Sequence, residues 1–183
     1  MGSSQHVHWN WPSWPGGRTK EVRRAPFAEF DLEAKEWKIP AERMKGKRKH
    51  SVPLVDRAVA IVKEMEITRV NGFVFPGRNQ GALQEMRMWL LLRELAPGFT
   101  VHGFRSSFKD WASEQTNFAD HVSEAALAHK SGDKVRSAYA RSDLFDMRRE
   151  LMDAWASFCE PRPAANKNAP RTSKVTNGAG LVA

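Results

Sequence analysis

Side chains between positions 100 and 141 have the chemistry to hold a phosphodiester and to attack it. His102 and Arg105 lie three residues apart, His129 follows, and Tyr139 is the only tyrosine in the chain. Two imidazoles, a guanidinium and a phenol make a poor hydrophobic core. They suit a site in which cations stabilise charge on phosphate oxygens while a hydroxyl attacks phosphorus. The stretch therefore predicts a site for phosphodiester cleavage.

Predicted helices position each of these side chains. His102 and Arg105 lie near the start of a helix that extends to about Gln115, where free backbone N–H groups favour an anion. Their i, i+3 spacing places both on one face. His129 shares a face of the next helix with apolar Val122, Ala125 and Ala126, and Tyr139 lies on a short helix after that. Taken singly, each has a bland alternative: a chance pair, a packed core histidine and a packing tyrosine.

Composition limits the class of protein. At 183 residues and 41% hydrophobic content, the chain fits one domain with a real core. It has neither a membrane-spanning apolar run nor a signal peptide, so the expected compartment is the cytoplasm. A single cysteine excludes an intrachain disulfide and most metal clusters. The net charge of +8 favours a polyanionic partner, such as nucleic acid, an anionic membrane surface or an acidic protein, over a merely basic surface.

Part of this charge lies in a predicted hairpin. Alternating residues predict strands over 29–32, 36–40 and 50–54, with a turn at 33–35 between the first two. The second and third strands are joined by what we call the basic loop, which has five cations: Arg43, Lys45, Lys47, Arg48 and Lys49. At a hairpin tip these side chains could reach a phosphate backbone, or they could form a solvated edge that resists aggregation.

Amphipathic helices make up most of the remaining scaffold. Predicted helices cover 18–24, 55–65 with Asp56 as the N-cap, 82–95 and 143–159. The inward residues expected of the third are Leu83, Met86, Leu90 and Leu91, and those of the last are Leu144, Met147, Leu151, Trp155 and Phe158. The predicted fold class is therefore α+β, mainly helical, with a small three-stranded antiparallel sheet.

In their order along the chain, these features resemble the catalytic domain of the tyrosine recombinases, also called phage integrases, and most closely the prophage integrases of the P4 type. The resemblance runs from Arg18 to about Glu160. It rests on Arg18-x-x-Glu21, the hairpin with Lys45, Thr100-Val101-His102-Gly103-Phe104-Arg105, Leu127-Ala128-His129 and Tyr139, together with Phe108-Lys109-Asp110-Trp111-Ala112 and Leu151-Met152-Asp153-Ala154-Trp155. One such element alone is weak evidence, whereas the ordered set is strong.

The resemblance implies a covalent mechanism. Tyr139 is the expected nucleophile, which attacks a DNA phosphodiester to form a 3′-phosphotyrosyl link and to release a 5′-hydroxyl. Arg18 and Arg105 are expected to clamp the non-bridging oxygens, and Lys45 is the candidate general acid for the leaving 5′-oxygen. No cofactor and no metal are implied.

Supporting roles also follow from the resemblance. His102 and His129 are expected to hydrogen-bond the phosphate and to assist proton transfer, and Glu21 is expected to orient the first arginine. DNA contacts are expected from the rest of the basic loop, namely Arg43, Lys47, Arg48 and Lys49. The implied partners are double-stranded DNA at attachment sites and other recombinase protomers in a DNA-bound tetramer, with a monomer in the absence of DNA, no membrane, and association with the nucleoid.

The expected domain organisation is a catalytic domain with short extensions. Residues 1–17 are predicted to be an irregular leader or an added remnant, 18–160 the catalytic domain, and 161–183 a disordered basic tail. Family members have further domains before the first arginine, so the sequence predicts an N-terminally truncated domain. Lys20 stands where family motifs usually have glycine. Weak DNA binding and little recombination are expected of this chain alone.

Three functions of different classes compete. The chain could be a cleaving and rejoining recombinase domain, a degenerate domain that binds DNA or a partner without catalysis, or a basic protein associated with RNA or ribosomes. The complete Arg/Lys/His/Arg/His/Tyr set favours the first function over the third. The leader and the missing domains keep the second open.

Overall fold

The computed structural model of the chain describes residues 17–129 and 144–160. The segment with Tyr139 and the predicted tail lie outside these residues, as does the predicted leader up to residue 16. The described α-helices are α1 (Thr19–Arg23), α2 (Asp56–Ile67), α3 (Glu85–Leu95), α4 (Val101–Glu114), α5 (Asp120–Ala126) and α6 (Phe145–Cys159). The strands are β1 (Phe30–Asp31), β2 (Glu36–Ile39) and β3 (His50–Pro53), and a short 3-10 helix covers Phe27–Glu29. The predicted α+β, mainly helical class is confirmed.

The strands form the predicted three-stranded antiparallel sheet in the order β1-β2-β3. Trp37 is the centre of its register, opposite Phe30 on one side and Val52 on the other. Its indole is fully buried and stacks on the Phe30 ring with centroids 5.4 Å apart. The first strand is shorter than predicted because the residues before Phe30 form the 3-10 helix. The sheet thereby gives a fixed base to the basic loop between β2 and β3.

Trp37 also explains why the chain needs a glycine immediately before Arg18. Gly17 is buried, and a Cβ atom there would lie 2.6 Å from Val22 Cγ2 and 2.8 Å from Trp37 Cζ3. Only glycine fits this close approach. The glycine that the sequence placed in the leader therefore packs with the domain.

Helices α4, α5 and α6 pack around the sheet. Helix α6 packs on β3 and on α5, which in turn packs on α4. An aromatic cluster joins α4 to α6, with ring centroids between 5.1 and 6.2 Å apart, and consists of Phe108, Trp111, Trp155 and Phe158. Because α4 carries Arg105, this cluster fixes the helix that presents the predicted site.

The predicted inward face of α6 was wrong in part. Met147 and Phe158 are 42% and 48% exposed, whereas Arg148 is only 1% exposed. The guanidinium of Arg148 donates to the Ser51 carbonyl of β3 at 2.5 Å and lies over the Phe145 ring. A buried cation at this contact rotates the helix by about one residue from the face that apolar periodicity predicts, since hydrophobic patterns assume that charges point outward.

The predicted face of α3 was also wrong in part, since Leu83 and Leu91 are partly buried but the other two predicted residues are not. Met86 and Leu90 are 62% and 47% exposed, and Met88 is the buried residue of this helix. Helix α3 packs against α1, where Arg23 donates to the Leu83 carbonyl and pairs with Glu85. This narrow polar contact buries little of the helix, so most of its apolar side chains face outward.

Helix α2 begins at Asp56, the residue that was predicted to be its N-cap. Its N-cap is Val55, and Asp56 is the first helical residue, so the prediction of Asp56 as the cap was wrong. The Asp56 carboxylate instead pairs with Lys35 Nζ at 2.6 Å, and this pair lowers the pKa of Asp56. Over residues 17–129 and 144–160, no helix combines the length and apolar character that crossing a bilayer requires.

Replacement of Arg148 by alanine should lower the free energy of unfolding by about 2–3 kcal/mol, because the Ser51 carbonyl would lose a charged donor in a buried position. The matched control is Arg149→Ala, since that side chain also lies over Phe145 but donates to Ala34 at the surface. Urea unfolding should show a change below about 1 kcal/mol for the control. Equal effects of the two substitutions would contradict the assignment of Arg148 as a buried anchor.

Candidate active site

The first turn of α4 presents His102 and Arg105. Thr100 is the N-cap, and its Oγ1 accepts the backbone N–H of Gly103 at 3.0 Å. This bond fixes the start of the helix, which runs to Glu114 as predicted. His102 is exposed, whereas Arg105 is 6% exposed and points into the domain. The two residues therefore lie one turn apart in different environments.

Arg105 is held by the backbone that follows α5. Its Nη2 donates to the Leu127 carbonyl at 2.6 Å. Burial lowers the pKa of Arg105 to about 10, with a further lowering from the nearby Arg18 cation and an opposing contribution from Glu21. This pKa is still well above neutral, so the guanidinium stays protonated at pH 7. The domain thus keeps a desolvated cation beside a second one, an arrangement that an anion would stabilise.

Arg18 reaches the same backbone segment from α1. As the N-cap of α1, its backbone N–H donates to Glu21 Oε2 at 2.7 Å, and its Nη1 donates to Glu21 Oε1 at 3.2 Å. Its Nη2 donates to the Ala128 carbonyl at 3.4 Å. Because the Glu21 side chain is only 4% exposed, the carboxylate is a fixed partner for a half-buried guanidinium.

The two arginines therefore meet at a turn that ends α5. The helix stops at Ala126, so the prediction that His129 lies on its face was wrong. Ala128 has φ 49°, in the left-handed region, while the Ala128 N–H donates to Ala125 and the His129 N–H to Glu124. These two bonds define a Schellman motif, in which glycine is the usual residue at the left-handed position. The turn aims successive carbonyls, Leu127 and Ala128, at the two guanidiniums.

The His129 side chain contacts an acidic side chain of the preceding helix, α5. Its Nδ1 lies 2.9 Å from Glu124 Oε2, and Lys109 Nζ lies 2.7 Å from the other oxygen of Glu124. Lys109 also contacts Asp120 and Ser123. Burial alone would raise the pKa of Glu124, but the bonds from Lys109 and His129 outweigh it and lower the pKa. The carboxylate is therefore charged at neutral pH.

The basic loop has a different relation to the arginines. Lys45 is exposed in the loop. As a cation it cannot pair with the guanidiniums of Arg18 or Arg105. The link is indirect, through Arg43, whose guanidinium bonds to the Glu29 carboxylate and to the Glu21 carbonyl. This contact ties the base of the loop to α1. Lys45 lies two residues further along the loop, at an exposed position.

Arg43 itself is turned inward, unlike its four neighbours in the loop. Its side chain is 22% exposed and that of its partner Glu29 is 9% exposed. Burial raises the pKa of Glu29, although hydrogen bonds from Trp37 and Arg43 and the charge of Arg43 oppose the rise. A DNA contact by Arg43 stays a prediction, although its guanidinium is already paired with Glu29 inside the domain. Lys47, Arg48 and Lys49 are exposed, as a surface for a polyanion requires.

The structure thus brings together Arg18, Glu21, Arg105 and His129 around the turn at 127–129. Lys45 is joined to them through the fold, His102 lies at the exposed start of α4, and Tyr139 lies outside the described residues. Glu124 and Lys109 were missed by the sequence. Both are visible in the sequence as charged residues near the predicted site, Glu124 five residues before His129 and Lys109 four residues after Arg105. A predicted helix that included His129 placed Glu124 on a different face from it.

Paired guanidiniums beside an imidazole form a cationic site for a tetrahedral or trigonal oxyanion. Such a site suits phosphate chemistry without requiring a metal. Within the described residues, no three His, Cys, Asp or Glu side chains are grouped so that they could hold a metal ion. The fold and this site define a mainly helical α+β domain in which two guanidiniums converge on one turn.

Comparison with known proteins assigns the family. The profile of the Phage integrase family matches residues 15–144, which is most of the chain. The chain therefore belongs to the phage integrase family.

Individual relatives agree with this assignment. The chain is 38% identical to Prophage integrase IntA of Escherichia coli (strain K12) over 86% of its own length. It is 34% identical to the Integrase of Shigella phage Sf6 over 79% and 30% identical to the Integrase of Enterobacteria phage P4 over 78%. The matches cover 39%, 39% and 37% of the lengths of these relatives, respectively. No solved structure gives a significant match.

Inorganic phosphate should stabilise this protein against heat by binding between the two guanidiniums. At about 0.1 M phosphate, compared with chloride at the same ionic strength, the midpoint of unfolding should rise by roughly 2–4 °C. Arg105→Gln should lose most of this increment, because the anion loses a buried charged donor. The control is Arg57→Gln at an exposed position of α2, which should keep it. Equal increments in both variants would argue against an anion site at Arg105.

Proposed function

We propose that the chain is the catalytic domain of a site-specific DNA recombinase, which cleaves and rejoins DNA through a 3′-phosphotyrosine intermediate in the integration and excision of mobile DNA. The observation that carries this proposal is the convergence of Arg18 and Arg105 on the successive carbonyls of Leu127 and Ala128, with His129 as the next residue. Membership of the phage integrase family supports the same chemistry.

In the proposed reaction, Arg18 and Arg105 bind the non-bridging oxygens of one phosphodiester. Negative charge gathers on these oxygens in the transition state, and cations fixed in advance stabilise it without reorganisation. Arg105 contributes most, because its burial places it in a region of low dielectric constant. The Glu21 carboxylate holds Arg18 in place by accepting hydrogen bonds from both the backbone N–H and the guanidinium of Arg18.

In the proposed cleavage, one bond to phosphorus forms as another breaks, so no external energy source is needed. The Tyr139 oxygen forms a bond to phosphorus while the bond from phosphorus to the 5′-oxygen breaks. Lys45 gives its proton to that leaving oxygen, His102 and His129 assist at the phosphate by hydrogen bonding and proton transfer, and the His129 imidazole accepts the tyrosine proton. A 5′-hydroxyl from the same or another strand then reverses the reaction. The phosphotyrosine keeps the energy of the broken bond, so rejoining needs no nucleotide cofactor.

DNA would approach over the exposed cations of the basic loop. Lys45, Lys47, Arg48 and Lys49 are all exposed there, while Arg43 ties the loop to α1. The net charge of +8 favours association with a polyanion. We infer double-stranded attachment sites as the substrate, other recombinase protomers as partners on the DNA, a monomer without DNA, and the bacterial cytoplasm and nucleoid as the compartment.

Covalent cleavage is tested with a pool of nicked DNA duplexes of randomised sequence, in which loss of the short fragment beside the nick prevents rejoining. The full chain should accumulate a protein–DNA adduct that resists detergent, and Tyr139→Phe should form none because it lacks the attacking oxygen. Arg105→Ala should reduce adduct formation by at least about 100-fold.

The folding control for this experiment is Arg57→Ala, at an exposed position remote in sequence from the site, which should keep the wild-type yield. DNA binding without any adduct would support a degenerate domain in place of a recombinase. An adduct that persists in Tyr139→Phe would exclude the phenol as the nucleophile.

The contribution of the basic loop is tested by the salt dependence of DNA binding. Each phosphate contact should add roughly 0.9 to the slope of log affinity against log salt concentration. Replacement of Lys47, Arg48 and Lys49 together by alanine should therefore reduce the slope by roughly 2–3. Arg57→Ala should leave the slope unchanged. A slope that the triple substitution does not alter would show that DNA lies elsewhere.

A further inference from the structure

The acidic side chain beside His129 has no place in the roles described so far. Glu124 lies in α5, and its two carboxylate oxygens bind different partners, His129 Nδ1 at 2.9 Å and Lys109 Nζ at 2.7 Å. The side chain of Glu124 is 33% exposed, that of Lys109 24% and that of His129 42%. Three polar groups from α4, α5 and the turn after α5 are thereby joined in one chain of contacts.

The backbone makes the same connection. The His129 N–H donates to the Glu124 carbonyl at 3.0 Å, as part of the motif that closes α5. Residues 124 and 129 are thus linked twice, once by main chain and once by side chain. A histidine held at two points loses the rotation that a free surface histidine has, and its ring plane becomes fixed relative to the turn at 127–129.

From this geometry we propose that Glu124 is a positioning residue, which orients the His129 imidazole and keeps the proton on Nδ1, so that the unprotonated Nε2 is the nitrogen left to accept a proton at the scissile phosphate. A carboxylate that accepts one ring N–H determines which nitrogen remains for the other partner. The same logic governs carboxylate–histidine pairs in metal and protease sites. This inference rests on the proposed function, because it assumes that His129 acts on a phosphate.

Lys109 holds the other oxygen of the Glu124 carboxylate. Its ammonium binds the Glu124 oxygen that His129 does not use and also pairs with the Asp120 carboxylate, so the glutamate is fixed between two cationic or donating partners. Lys109 has its pKa raised; burial alone would lower it, but the hydrogen bonds and charges of Asp120 and Glu124 outweigh that effect. Both Lys109 and Glu124 therefore remain charged through neutral pH, and the orientation of His129 does not depend on small pH changes.

The charged groups around His129 come from each neighbouring element. Helix α5 contributes Glu124 and Asp120, α4 contributes Lys109 and Arg105, and α1 contributes Arg18 through its bond to the carbonyl of Ala128. Loss of the glutamate carboxylate should therefore free the His129 ring while the other charged groups keep their places.

The test measures single-turnover adduct formation on the nicked duplex pool as a function of pH. Glu124→Gln keeps the size of the side chain but removes its charge, and it should slow adduct formation by about 10–100-fold, the range seen when an outer carboxylate partner of a histidine is lost. The matched control is Glu114→Gln, the same change at an exposed position of α4, which should change the rate less than about threefold.

A double-substitution cycle separates positioning from a general structural effect. In a His129→Ala background, Glu124→Gln should have little further effect, because there is no ring left to orient. A rate for Glu124→Gln within about twofold of wild type, or a loss that adds in full to that of His129→Ala, would overturn the proposal.

Nitrogen-15 NMR of the histidine side chains in the unsubstituted protein gives a readout that needs neither activity nor a variant. The proposal expects the proton of neutral His129 on Nδ1, and a proton on Nε2 would overturn it even if adducts form. If the wild type forms no adduct while His129 has the Nδ1 proton, the recombinase function fails and the Glu124–His129 pairing stands. The two failures are therefore distinguishable.

Discussion

The site depends on one constraint, the left-handed residue that ends α5. Ala128 adopts φ 49° where glycine would be free of strain, and the cost for an L-residue is roughly 1 kcal/mol. In return, the carbonyls of Leu127 and Ala128 point towards Arg105 and Arg18. Without this turn α5 would continue, those carbonyls would bond within the helix, and two cations would face each other with no shared acceptor.

The rest of the domain holds the turn and the arginines at fixed separation. The aromatic cluster binds α4 to α6, and α6 is anchored to β3 by the buried Arg148. On the other side, Arg43 connects the base of the basic loop to the carbonyl of Glu21, whose carboxylate holds Arg18. Arg43 and Arg148 thus tie elements of the domain together, while Arg18 and Arg105 converge on one turn. The distinction lies in where each guanidinium bonds, since all four have partners within the domain.

The buried arginines also show which parts of the fold could be predicted from the sequence and which could not. Strand positions followed from alternation, and Trp37 lies in the strand predicted at 36–40, whereas Asp56 is the first residue of its helix and not the predicted cap. The inward faces of α3 and α6 did not follow, because Arg148 is buried and Met86 is exposed against their hydrophobicity. Burial of a cation depends on an acceptor 97 positions away, Ser51, which no local pattern contains. The basic loop likewise showed five equivalent cations, of which tertiary contacts turn Arg43 inward.

The candidate site was predictable in its members but not in its connections. Ordered motifs named Arg18, Arg105 and His129, whereas Glu124 was hidden because the end of α5 was placed too late. A helix that included His129 would set residues 124 and 129 five positions apart, about 140° around its axis, on different faces. The left-handed turn at Ala128 removes that separation and brings the imidazole back to the carboxylate. A single backbone angle therefore decides both where the two guanidiniums converge and which acid lies beside His129.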